Sequence, residues 1–233
     1  MTPIIDNHES ELHKLCKESI FNDLKNKFPD YKWVCDDVRI PEVKEKGIPG
    51  LQPDIGGRIN NIRVAIEIQT SALTIAQILK RCCGYSKRGI SILWIVPLVE
   101  PIGEEIFRPR LFERYLHSIY FGRVYYWLSE YGCKVLPVHF SPALREIPYR
   151  EWFEDGEERD AGGYDKPYKH IRKPVHLRPI SIAENFDHMR RSEHRPWNER
   201  KTVPPMRILI DKEPMWWDKN EQKILDRYYK EDP

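Results

Sequence analysis

The absences in this chain narrow the field first. Its five cysteines, Cys16, Cys35, Cys82, Cys83 and Cys133, form no C-x-x-C pair, and their number is odd. That excludes a disulfide scaffold and a zinc ribbon and points to a reducing compartment. No apolar run approaches the ~20 residues that a membrane span requires. Residues 1–10 have neither a basic start nor an apolar h-region, so no secretory leader is expected. A soluble, cytoplasmic protein is predicted. Neither charge sign is in excess: 32% of residues are charged, yet the formal net charge is +2. Any basic surface for a nucleic acid must therefore be local. There is no internal repeat, no Gly-rich phosphate loop and no Ser-His-Asp order, and the histidines beyond His13 lack metal-ligand spacing. A chain of 233 residues holds one good-sized domain, or one domain with a smaller appendage.

What is present centres on two short pieces, Leu51-Gln52-Pro53-Asp54 and Ala65-Ile66-Glu67-Ile68-Gln69. Side chains alternate faces along a strand, so Glu67 and Gln69 share one face while Val64, Ile66 and Ile68 share the other. A carboxylate in so apolar a strand is costly unless it is paired, hydrogen-bonded or bound to a metal. Asn60-Asn61, between the pieces, tolerates positive φ and suits a tight hairpin turn. Folding back there brings Asp54 near Glu67, and two converging carboxylates suit a hard divalent cation such as magnesium, with manganese as a substitute.

Periodicity fills in the surroundings. A helix is expected over 8–27, with Asn7 as its cap and Glu9, His13 and Lys17 stepping by four along one edge. A strand follows over 33–40, then the hairpin over 53–69. A second helix over 72–84 is capped by Thr70 or Ser71. The apolar run 90–96 reads as a strand buried on both faces, reached by a right-handed crossover to a parallel neighbour. Beyond it, Pro109 suits a helix start, and the spacing predicts a long aromatic helix over 109–131 closed by Gly132. Residues 134–140 read as a strand, at an edge because of Pro137.

Pro-Asp, a gap and Glu-x-Gln resemble the PD-(D/E)XK nuclease superfamily. Glu9-Ser10, His13 and Lys17, then Glu67 to Ser71, Leu79-Lys80-Arg81, Tyr85, Gly89-Ile90 and Leu93-Trp94-Ile95, are similar to the nuclease core of the competence protein CoiA-like family. The resemblance implies an α/β fold with a restriction endonuclease-like core: helix, three-stranded meander, helix and parallel strand. It implies a magnesium-dependent deoxyribonuclease. Asp54 and Glu67 would hold the metal with the Ile68 carbonyl as a third protein ligand, Gln69 would orient water, and Glu9 would assist. His13, Lys80, Arg81 and Tyr85 would contact nucleic acid, although Arg81 and Tyr85 suit bracing of the site equally. Gln69 departs from the pattern, since most of the superfamily carries lysine there. A missing charge implies a cation from elsewhere, Lys17 or Lys80, or else a module that binds DNA or a protein without cutting.

The domain reading is a core over 1–140 and a less regular, basic and Pro-rich extension over 141–233. Its stretch 166–207 interleaves basic residues with Tyr168, Phe186 and Trp197. That mixture suits a nucleic-acid strand and equally a partner-bound extension. A short helix is expected in the tail, from 215 onward. The aromatic helix over 109–131, or the extension, would offer a surface for a homodimer or a protein partner. Arg110, Arg114 and Arg123 read as surface residues of that helix.

Overall fold

A computed structural model describes residues 10–35, 39–195 and 202–221. It is a mixed α/β protein, richer in strand than in helix. In chain order the elements are α1 (Glu11–Lys27), β1 (Val34–Cys35), β2 (Ile55–Ile59), β3 (Ile62–Ile68), α2 (Ile75–Ser86), β4 (Ser91–Pro97), α3 (Leu111–Ile119), β5 (Val124–Trp127), β6 (Lys134–Ile147), β7 (Arg150–Glu154), β8 (Glu157–Ala161), β9 (Tyr164–His176), β10 (Ile180–Ser181), α4 (Ile182–Asn185), β11 (Phe186–Arg191) and β12 (Met206–Asp211). They fall into two compact units, one formed by 1–101, 110–138 and 176–214, the other by 102–109, 139–175 and 215–233. No helix among the described residues is long and apolar enough to cross a membrane.

The first unit is built on a sheet in the order β1-β2-β3-β4-β5-β6-β10. The β1–β2–β3 meander is antiparallel, β3, β4 and β5 run parallel, and β6 turns back. Helix α1 starts where the Ser10 hydroxyl accepts the His13 backbone N–H, and it buries Cys16, Lys17, Ile20 and Leu24 at helical spacing against β3 and β4. Helix α2 is the crossover between β3 and its parallel neighbour β4, whose seven residues are all buried. Its cap is Thr74 in a reciprocal capping box with Gln77, later than the Thr70 or Ser71 expected. The Thr-x-x-Gln spacing wins because it satisfies two N-terminal donors at once.

Trp33 sets a close contact behind β2. A Cβ on Gly57 would fall inside its indole ring, which is 6% exposed and has no room to retreat. Gly57→Ala is expected to destabilise the protein by about 1–3 kcal/mol, read from urea denaturation. An unchanged midpoint would contradict this packing.

Three expectations for this unit need correction. The helix over 109–131 is not one element. Helix α3 ends at Ile119, the chain turns through Phe121 (φ 53°) and Gly122 (φ 90°), and Val124–Trp127 is a strand with all four residues buried. Tyr115, Tyr120, Tyr125, Tyr126 and Trp127 are core residues, so the aromatic surface proposed for a dimer is not there. Arg123 is likewise buried, in an ion pair with Asp211 at 3.3 Å. Nor is Pro137 at an edge: its strand lies between β5 and β10, and its carbonyl accepts the Leu177 N–H.

The stretch beyond 140 is more regular than predicted. Strand β12 joins the first unit's sheet parallel to β4, with β11 antiparallel beside it. In the second unit, β9 pairs with β6, Phe107 bridges to Arg172 and packs on Phe140 at 5.4 Å, and β7–β8 form a separate hairpin. Of the rings expected to stack over 166–207, Phe186 is fully buried and Tyr168 lies beneath Arg145. Residues 215–220, the expected start of a tail helix, are not helical, and Trp197 and residues 222–233 lie outside the described residues.

Candidate active site

The β2–β3 turn places Asn60 and Asn61 at φ 47° and 66°, the paired positive values of a type I′ hairpin. The turn fixes the register, with Ile55 opposite Ile66 and Gly56 opposite Ala65. Continued one residue back from the start of β2, the same register sets Asp54 opposite Glu67. Asp54 Oδ2 accepts the Ile68 backbone N–H at 2.7 Å and lies 3.4 Å from His13 Nε2, which ties the end of the hairpin to α1.

Glu67 is the buried member of the pair. Its Oε1 accepts the Tyr85 hydroxyl at 2.5 Å, and its Oε2 accepts the Arg81 guanidinium. Arg81 and Tyr85 are four apart on α2, so one helix face delivers both donors. The Arg81 guanidinium also lies 5.8 Å from the Trp94 ring, on the strand residue paired with Glu67. Burial, with Asp54 adding to it, pushes the Glu67 carboxyl up to about 7 against the pull of Arg81. Burial and Glu67 push the Tyr85 hydroxyl up as well, so it stays protonated and donates.

Gln69 is buried. Its amide nitrogen donates to the Ser71 carbonyl at 2.7 Å and to the Ser71 hydroxyl at 3.2 Å, which leaves the amide oxygen as an acceptor. Ser10 Oγ donates to Thr70 Oγ1 at 3.2 Å, so the start of α1 is held at the end of β3. Lys17 is 6% exposed, unlike Lys80, which is exposed on α2. His13, one turn before Lys17 on α1, lies 3.4 Å from Asp54, which brings this edge of the helix to the carboxylate. Glu9 lies outside the described residues.

One sequence expectation changes. Tyr85 is fully buried, so of its two readings only bracing is open to it. Arg110 is at the surface as expected, but it precedes a shorter helix, and it donates to the Thr70 carbonyl at 3.1 Å and to Glu113 at 2.8 Å. Its guanidinium is 42% exposed, beside the end of β3. The signal was Arg110 three residues before Glu113, just after Pro109.

Among the described residues no cluster of three or more His, Cys, Asp or Glu side chains is arranged to hold a metal. The donor set still fits a hard cation, because magnesium takes one or two carboxylates and fills its remaining positions with water and substrate oxygens. The upward push of Asp54 on Glu67 is the repulsion that a cation between them would relieve.

The family model described as competence protein CoiA, nuclease-like domain, matches residues 9–131. No curated protein and no solved structure matches the chain. The matched stretch covers more than half of the sequence and contains α1, the β2–β3 hairpin, α2 and β4. The chain belongs to the family of the competence protein CoiA nuclease-like domain.

Proposed function

We propose that the protein is a metal-dependent DNA nuclease on a restriction endonuclease-like core. The observation that carries this reading is the register that sets Asp54 opposite Glu67 at the end of a buried hairpin. The order helix, antiparallel meander, crossover helix and parallel strand supports the fold assignment. Magnesium, or manganese in its place, held by Asp54 and Glu67 with the Ile68 carbonyl as a third protein ligand, would polarise the phosphodiester and acidify the attacking water.

The chain's own groups have distinct tasks. Tyr85 and Arg81 hold Glu67 in one orientation. Gln69, its nitrogen tied to Ser71, presents its oxygen to the attacking water. His13 steadies Asp54. Lys17 supplies the positive charge that Gln69 lacks, and Glu9 adds an acid at the start of α1. Lys80 and Arg110, both at least partly exposed, meet phosphates of the DNA.

Two observations favour a second reading, a module that binds DNA or a protein without cutting. Gln69 carries no charge, and Arg81 already neutralises part of Glu67. Incubation with linear, circular and single-stranded DNA in magnesium, manganese or chelator separates the two. Cleavage that needs the metal supports the nuclease, while retained DNA binding without cleavage in any condition supports the module. Lys80→Met is expected to weaken DNA binding and lower its salt slope by roughly one unit, with turnover on saturating DNA unchanged. Loss of turnover instead would place Lys80 at the reacting phosphate.

A further inference from the structure

The β7–β8 hairpin of the second unit has a feature that the nuclease reading leaves unused. Its turn is Asp155-Gly156, both at positive φ, the geometry of a well-formed two-residue hairpin. Its base is fixed, because Gly163 N–H bonds the Ile147 carbonyl and a Cβ on Gly162 would collide with the Pro148 carbonyl. All ten strand residues are exposed. Residues 150–161 carry six carboxylates and two arginines in a chain whose net charge is +2.

The register divides the hairpin into two unlike faces. One carries Arg150, Trp152, Glu154, Glu157 and Arg159, two arginines against two glutamates: Arg159 pairs with Glu154 at 3.2 Å, and the Trp152 indole donates to Glu154 at 3.4 Å. The other carries Glu151, Phe153, Glu158 and Asp160 and has no cation. Tyr149 adjoins it, donating to Glu151 at 2.8 Å and lying within electrostatic reach of Asp160. Here Glu151 faces Asp160 directly across the strands, a like-charge pair that destabilises a hairpin. Phe153 is 75% exposed and Tyr149 55%. Two rings and three carboxylates therefore share one open sheet face.

We infer that this face docks a cationic, partly apolar segment of a partner protein. Lysine or arginine side chains would relieve the Glu151–Asp160 repulsion, and apolar side chains between them would cover Phe153 and Tyr149. An extended segment suits the hairpin, since among the described residues β7 and β8 pair only with each other, and open strand edges suit strand addition. A nucleic acid does not suit it, because its phosphates meet carboxylates.

The test uses the full chain and a short fluorescent peptide alternating lysine and valine, followed by anisotropy, with a glutamate–valine peptide as control. The lysine peptide is expected to bind and the glutamate peptide not. Phe153→Ala, or Glu151→Gln with Asp160→Asn, is expected to weaken binding about tenfold or more, as removal of a central anchor does. Trp152→Ala on the matched face is expected to leave it unchanged. No binding of the lysine peptide, equal binding of both peptides, or indifference to Phe153→Ala would overturn the inference. So would a loss of duplex DNA affinity on Phe153→Ala, which would assign the face to nucleic acid.

Discussion

Glu67→Gln is expected to abolish magnesium-dependent cleavage while making the metal-free protein more stable above neutral pH. Both effects follow from one environment. The carboxyl is buried, faces Asp54 and has its folded-state pKa raised from 4.5 to about 7. The folded protein therefore keeps a proton that the unfolded chain has already released between pH 4.5 and 7. In that window the native state binds more protons, so stability falls as pH rises and levels off above about 7. The integrated loss is on the order of 3 kcal/mol. A glutamine at this position would still accept the Tyr85 hydroxyl without carrying the buried charge, so the variant should lose the pH slope when unfolded by urea in chelator. Asp54→Asn should also stop cleavage, because it removes the other carboxylate at nearly constant volume. If both variants cut at the parent rate, the carboxylate pair is not the catalytic centre.

Lys17→Met is expected to lower turnover by roughly 100- to 1000-fold, by analogy with loss of one electrostatic donor, with little change in DNA affinity. Phosphoryl transfer builds charge that fixed cations must offset, and Gln69 supplies none. Of the two candidate lysines, Lys80 is exposed on α2, whereas Lys17 is buried one helical turn after His13, which lies 3.4 Å from Asp54. A buried lysine has already lost most of its rotamer freedom, as a group acting at a fixed point requires. Lys17→Arg should recover part of the rate. Full turnover in Lys17→Met, together with its loss in Arg81→Gln, would assign the charge to Arg81.

The elements that make the site were legible because local signals and burial agree there. Asn60-Asn61 demanded a type I′ turn, the single acid in an apolar strand demanded a partner, and the all-apolar run before Pro97 demanded a central strand. The tyrosines after Pro109 misled because their spacing also fits a helix. Gly122, followed by the β-preferring run Val124-Tyr125-Tyr126-Trp127, marked the break, and burial of all four side chains decided it. The C-terminal strands were hidden by composition. Prolines and basic residues dominate 166–207, yet Ile208-Leu209-Ile210 is a buried run whose partner, Ile92, lies more than a hundred residues earlier. No local pattern encodes that pairing. Arg81 and Tyr85 were found as a pair, but their common partner Glu67 emerges only when α2 folds over β3.

The most direct measurement of the central claim is manganese binding at neutral pH, followed by electron paramagnetic resonance on the full chain without DNA. One ion is expected per chain, displaced by magnesium and lost in both Asp54→Asn and Glu67→Gln. Undiminished manganese binding in both variants would contradict the account, because the ion would then be held elsewhere.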